Sequence, residues 1–108
     1  MMDDRQLAAV LGALSHSKRL AIWRVLLPAG AAGLSKSAIA GRLPIMPSRL
    51  MLHLHEMAQA GVLTQQQGSQ HIVYAANVEL LVSTVQKIAQ LLPADELAST
   101  IELASTMK

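Results

Sequence analysis

The sequence predicts a mainly α-helical fold with one small β-hairpin and a short C-terminal helix, and three observations lead there. Apolar residues recur at three- and four-residue spacing along most of the chain, the period of helices buried on one face. That period breaks once, where Val62-Leu63-Thr64-Gln65-Gln66-Gln67 and Gln70-His71-Ile72-Val73-Tyr74 flank the turn pair Gly68-Ser69. Finally, 52% of the residues are hydrophobic but only Trp23 and Tyr74 are aromatic, so the interior must be built from Leu, Ile, Val, Ala and Met, which favour helices.

Leu7, Val10, Leu11 and Leu14 mark a first helix over Asp4 to Leu14 with acid at its start. Ser15 or Ser17 caps a second helix through about Leu27, carrying Leu20, Ile22, Trp23 and Leu26, and Pro28 stops it. Pro28 to Gly33 reads as a loop. Ser35 caps a third helix, Lys36 to about Leu43, with Ile39 and Leu43 inward. After the turn Pro44-Ile45-Met46-Pro47, a fourth helix runs to about Ala60 on a buried stripe of Leu50, Leu54 and Met57, and Gly61 ends it. Two short helices joined by a tight turn make a helix-turn-helix. Beyond the hairpin, Val78, Leu81, Val82, Val85, Ile88, Ala89 and Leu92 restore the helical period. A last helix starts at Pro93-Ala94-Asp95-Glu96 with Leu97, Ile101 and Ala104 on one side. Residues 1–92 therefore read as one domain and residues 93–108 as a helical tail. The repeat of Glu-Leu-Ala-Ser-Thr at Glu96 and Glu102 has a six-residue offset that matches no helical face.

A chain of 108 residues this rich in apolar side chains leaves surface that one small core cannot hide, so a homodimer is expected. The expected interface joins the first helix (Leu7, Val10, Leu11) to the Val78–Leu92 helix (Val78, Leu81, Val85, Ile88, Leu92). Nine Lys and Arg against seven acids give a formal charge of +2, which permits an anionic partner without proving one. With no cysteine there is no disulfide and no thiolate metal site. The start, Met1-Met2-Asp3-Asp4-Arg5, carries acid where a secretory signal needs basic charge, and no apolar run reaches the roughly 18 residues of a bilayer span, so a cytoplasmic location is expected.

The order of elements, with Leu14-Ser15-His16-Ser17-Lys18-Arg19-Leu20-Ala21-Ile22 opening the second helix and Ser48-Arg49-Leu50-Met51-Leu52-His53-Leu54 in the fourth, resembles the ArsR/SmtB family of bacterial repressors. Met57 and Ala60-Gly61-Val62-Leu63 extend the resemblance into the hairpin, which corresponds to that family's wing; together these pieces cover about two-thirds of the chain. The resemblance implies a dimeric winged helix-turn-helix, the order being helix, helix, helix-turn-helix, wing, helix. It also implies a homodimeric, sequence-specific transcriptional repressor that binds an inverted-repeat operator in double-stranded DNA, with the fourth helix as recognition helix.

The residues expected to reach DNA are Lys36 and Ser37 at the start of the third helix, Arg42 near its end, Ser48 and Arg49 at the start of the fourth, and Gln66 on the wing. Two departures from the family stand out. Met51 and Leu52 occupy positions that are usually polar, and apolar side chains can touch a thymine methyl but cannot hydrogen-bond a base. The wing, usually basic, reads Gln65-Gln66-Gln67-Gly68-Ser69-Gln70-His71 and adds no fixed cation. Both favour an alternative, a winged-helix interaction module that has lost DNA binding.

The resemblance also raises metal regulation, but the segments matching the family's metal sites offer Gly33-Leu34-Ser35-Lys36-Ser37-Ala38 and Ser83, Gln86 and Gln90, so no metal or other cofactor is expected. His53 and His55, two apart on a helix, point about 200° apart and cannot chelate one ion. His53 reads as a packing and hydrogen-bonding residue, and His16 and His71 as cap or surface groups. Ser15 and Lys18 mimic the Ser-x-x-Lys spacing of penicillin-recognising enzymes without that chemistry's other motifs, and no phosphate loop or catalytic triad order appears, so no enzyme is expected.

Overall fold

The computed structural model describes residues 2–106. Helix α1 spans Asp4–Leu14. It opens on a reciprocal cap in which Gln6 N–H donates to Asp3 Oδ1 (2.8 Å) and Asp3 N–H to Gln6 Oε1 (2.9 Å), satisfying two amides that the first helical turn leaves over. Helix α2 covers Ser17–Leu26, and its cap is His16, whose Nδ1 accepts from Lys18 N–H at 3.2 Å. Neither serine expected as the cap takes that role: the Ser15 hydroxyl turns back and donates to the Gly12 carbonyl at 2.8 Å, closing α1. Pro28 does end α2, yet the following segment is a kinked 3-10 helix over Leu27–Ala32 and not an open loop.

The chain next enters a two-residue strand, β1 (Leu34–Ser35), too short to leave a period in the sequence. Ser35 then caps α3 (Lys36–Ala40), its Oγ accepting from Ala38 N–H at 3.2 Å. α3 stops three residues before the expected Leu43, and Leu43 precedes Pro44, a position from which the helical conformation is disfavoured. Helix α4, Pro47–Gln59, starts on Pro47 and ends with Gly61 at φ 83. Gly61 N–H donates to the Ala58 carbonyl and Val62 N–H to the Met57 carbonyl, each at 3.0 Å, the paired closure that a left-handed residue makes possible.

Strands β2 (Leu63–Gln67) and β3 (Ile72–Ala76) form the hairpin, with β3 central in an antiparallel sheet of order β1-β3-β2. The register pairs Gln67 with Ile72, so four residues, Gly68 to His71, make the connection in place of the two-residue turn at Gly68-Ser69. Gly68 N–H donates to the His71 carbonyl at 2.8 Å and closes it.

Asn77 ties the hairpin to helix α5 (Val78–Ala89): its Nδ2 donates to the Gly61 carbonyl (2.8 Å) and its Oδ1 accepts from Leu80 N–H (3.1 Å), capping that helix. Helix α6, Ala94–Thr106, is as long as α4. The radius of gyration is 16.0 Å, against about 13 Å for a closely packed chain of about this length.

The core lies between α1, α2, α3, α4 and the sheet. Ile22, Leu26, Ile39, Leu50, Leu54 and Met57 are wholly buried, so the inward stripe predicted for α4 is the observed one, joined by buried His53. No helix among the described residues is long and apolar enough to cross a membrane.

Candidate nucleic-acid interface

The helix-turn-helix is α3 and α4 with the turn between them. α4 splits cleanly along its length: Leu50, His53, Leu54 and Met57 face the core, whereas Ser48, Arg49, Met51, Leu52 and His55 face outward. Pro47 sets the direction of the first turn, so Ser48 and Arg49 project beside a helix N-terminus, where the dipole and free amides favour anions.

Lys36, Ser37, Arg42, Ser48, Arg49 and Gln66 are all exposed. Lys36 and Ser37 meet Met51 across a groove whose other wall is His71 and Ile72 of the wing, which brings α3, α4 and the hairpin to one surface. The Ser37 hydroxyl lies 3.3 Å from that of Ser35, tying it to the α3 cap. Arg42 sits in the turn after α3, and Gln66, paired with Val73, stands on β2 outside the walls of this groove. Two of the residues in this groove, Met51 and Ile72, are apolar and about half exposed (46% and 42%), so its middle offers van der Waals contact, with hydrogen-bond donors at the α3 edge.

Behind this surface stands His53, the residue expected to pack and hydrogen-bond. His53 is buried, and its Nδ1 accepts from Arg19 Nε–H at 3.1 Å; its ring stands 4.8 Å from that of His16, tilted by 57°. Burial, then the neighbouring Arg19, His16, Lys18 and Arg49, hold the His53 imidazole below its ordinary pKa. It is therefore neutral at pH 7, as accepting the Arg19 bond requires. The signal was present as three basic residues, His16, Lys18 and Arg19, at the start of α2, but their convergence on α4 is a tertiary fact. His55, by contrast, is exposed, so the two histidines of α4 do point apart, and among the described residues no cluster of three metal-ligating side chains occurs.

A group titrating lower in the native than in the unfolded chain makes stability pH-dependent in a defined direction. Above the ordinary histidine range both states are neutral at His53 and its contribution is complete; as pH falls below about 6.5 the unfolded chain takes up a proton that the native chain resists. Denaturant unfolding followed by Trp23 fluorescence should thus show stability declining from about pH 7 to about pH 5.5. His53→Gln, which keeps an acceptor for Arg19, should flatten that decline. An equal decline in the variant would place the titrating group elsewhere.

The residues expected at the dimer interface are distributed unevenly. Leu7 and Val10 are buried in their own protomer, Val10 within the core cluster, so they are not available to a second chain in this conformation. Leu11, Val78, Val85, Ile88 and Leu92 are exposed, as is Val82, and Leu81 is half-buried.

No protein-family model matches the chain, and no curated protein sequence matches it. Solved structures do. An ArsR-like transcriptional regulator from Rhodococcus sp. RHA1 superposes with a TM-score of 0.74 at 25% identity, covering 95% of this chain and 92% of its own. A predicted DNA-binding transcriptional regulator from E. coli gives 0.62 at 29% identity over 78% of this chain and 90% of its own. The homodimeric winged helix-turn-helix DNA-binding domain of a possible ArsR-family regulator from Mycobacterium bovis gives 0.60 at 24% identity, covering 83% of this chain and 89% of its own, and carries the fold alone. The fold and the surface described above define a winged helix-turn-helix protein. Within that class the chain is similar to an ArsR-like regulator, and the first two of these structures are those of transcriptional regulators, not enzymes.

Proposed function

We propose that this protein is a homodimeric, sequence-specific DNA-binding transcriptional regulator, acting as a repressor and without the metal sites common in its structural class. The observation that carries the reading is the surface on which α3, the outward side of α4 and the wing converge, with Arg49 and Lys36 as its cations. Residues 1–92 supply both DNA binding and dimerisation, and residues 93–108 form a helical tail. The operator is an imperfect inverted repeat whose half-sites lie about one helical turn apart, roughly 34–36 Å, because two recognition helices related by a dimer axis must enter successive major grooves.

The direct test is an anisotropy titration of the protein with its own upstream DNA and with random duplex, at low and moderate salt. Arg49→Ala should weaken specific binding by roughly 1–3 kcal/mol if the contact is bidentate to guanine. Gln66→Ala removes a neutral group and should leave the salt dependence almost unaltered, whereas losing Lys36 or Arg42 from a phosphate should reduce the slope by about one. A second reading, an interaction module without DNA binding, is favoured by the apolar Met51, Leu52 and Ile72 and the neutral wing. It prevails if upstream DNA binds no better than random duplex.

A further inference from the structure

The outward side of α4 carries its apolar residues in a definite place. Leu50, His53, Leu54 and Met57 fix the direction of the core; Leu52 stands about 150° around the helix axis from their mean direction, and Met51 about 110°. The exposures agree, 57% for Leu52 against 46% for Met51. Leu52 lies one turn beyond Ser48, in the N-terminal half of the helix, the half that a helix-turn-helix presents to base edges in the major groove. Met51 stands beside it in the groove lined by Lys36, Ser37, His71 and Ile72. The surroundings of this pair are cationic: between Asp4 and Glu56 the sequence has no carboxylate and holds seven of its nine Lys and Arg. A narrow apolar strip in a field of cations and hydroxyls complements a polyanion that carries an apolar group on the floor of its groove.

The major-groove edges of the base pairs offer one such group, the C5-methyl of thymine. Cytosine at the same place presents a 4-amino donor with no methyl, and guanine presents two acceptors; an apolar side chain laid against either removes water and returns no hydrogen bond. We propose that Leu52, with Met51 beside it, reads thymine methyls, so that each operator half-site carries thymine beneath these two residues. Methyl contact then takes the place of the hydrogen bonds that polar side chains at these positions would make. The inference rests on the DNA-binding reading and names what that surface reads. A thymine methyl can be removed without altering base pairing, so the two can fail separately.

The experiment uses the full chain and its own upstream DNA, with thymine replaced by deoxyuridine first throughout and then one position at a time. Uracil pairs as thymine does and lacks only the methyl. Loss of one buried methyl corresponds to about fourfold in affinity, so one substitution in each of two half-sites should weaken wild-type binding about fifteenfold. Leu52→Ala keeps a helix-favouring residue at an exposed position, so the fold is retained. In this variant the thymine and deoxyuridine duplexes should differ by less than about twofold at the position beneath residue 52, and the salt slope should be that of the wild type, since no phosphate contact is lost. Equal binding of the two duplexes by the wild type, with upstream DNA still preferred over random duplex, overturns the methyl reading alone. So does a thymine preference that survives in full in Leu52→Ala. Upstream DNA bound by the wild type no better than random duplex overturns the regulator reading and this one with it, and leaves the apolar strip to a protein partner.

Discussion

Replacing Val85 with Asp, or Ile88 with Lys, is expected to turn the proposed dimer into a monomer or an aggregate. α5 is strongly apolar but buries only Thr84 within its own protomer. Val78, Val82 and Val85 follow one another at four- and three-residue intervals on the outside, at 51%, 49% and 56% exposure, with Ile88 at 38% one turn further on. Leu11 of α1, at 45%, adds to the apolar surface left outside the core. Each such side chain contributes about 1.5–3 kcal/mol when fully removed from water, and a row of them with no core of its own requires a partner surface. A charge in mid-row reverses that gain and leaves an ion without water. Sedimentation or light scattering should show the dimer dissociation constant rising at least about a hundredfold, equivalent to about 3 kcal/mol. Because both positions are exposed in the protomer, Trp23 fluorescence and helix content should be retained in any soluble monomer. Operator affinity should collapse in parallel, since one recognition helix reads only one half-site. If both variants remain dimers of unaltered affinity, the protomers meet elsewhere.

At this interface the sequence pattern and the packing part company. α1 was legible to the residue at both ends, and Leu7, Val10 and Leu11 all belong to its apolar stripe. The stripe is wide enough to serve two surfaces, and periodicity cannot say which edge faces which: Leu7 and Val10 turn toward the protomer interior and Leu11 outward. α4 posed no such ambiguity, because its Leu50, Leu54 and Met57 are flanked by polar side chains, and Pro47 and Gly61 mark its ends by their backbone chemistry.

What the sequence concealed was tertiary in origin. Strand β1 exists only because β3 offers it a partner, Leu34 lying opposite Tyr74 and Ser35 opposite Val73. The wing connection is four residues long because Gly68 bonds to the His71 carbonyl, a closure that the Gly68-Ser69 pair hides behind a stronger two-residue signal. His16, read as a cap or surface group, does cap α2, ahead of two serines that outrank it in intrinsic preference; only the packing of α2 on α4 sets the same ring against His53. Lys36, Ser37, Arg42, Ser48, Arg49 and Gln66 are all exposed, as their places in the helix-turn-helix and the wing suggest, whereas Arg19 and His16 meet His53 only through the packing of α2 on α4.

The second large effect is expected at Gly33, whose role joins the sheet to the helix-turn-helix. Its φ of 67 lies in the left-handed region, and a Cβ placed there would drive into the carbonyl oxygen of Tyr74, a backbone atom of the central strand that cannot rotate away. Gly33→Ala therefore meets two costs together, an unfavourable backbone conformation and a steric conflict relieved only by separating β1 from β3, for a loss of about 3 kcal/mol or more. Gly12 provides the internal contrast: it lies within α1 with open space around its Cα, so Gly12→Ala should stabilise by about 0.5–1 kcal/mol through helix propensity alone. Opposite signs for one chemical change separate the local environment from any general effect of adding a methyl group. Urea denaturation read from Trp23 measures both, it being the sole tryptophan. The consequence extends to function because Gly33 immediately precedes β1, and β1 ends on Ser35, the cap that orients the first turn of α3 with Lys36 and Ser37. Under conditions where Gly33→Ala remains folded, its affinity for DNA should fall more than that of Lys36→Gln, because the whole α3 edge of the surface is displaced and not one charge. A variant within about 1 kcal/mol of wild type would mean that β1 does not pair with β3 in solution, and the position of α3 would then need another support.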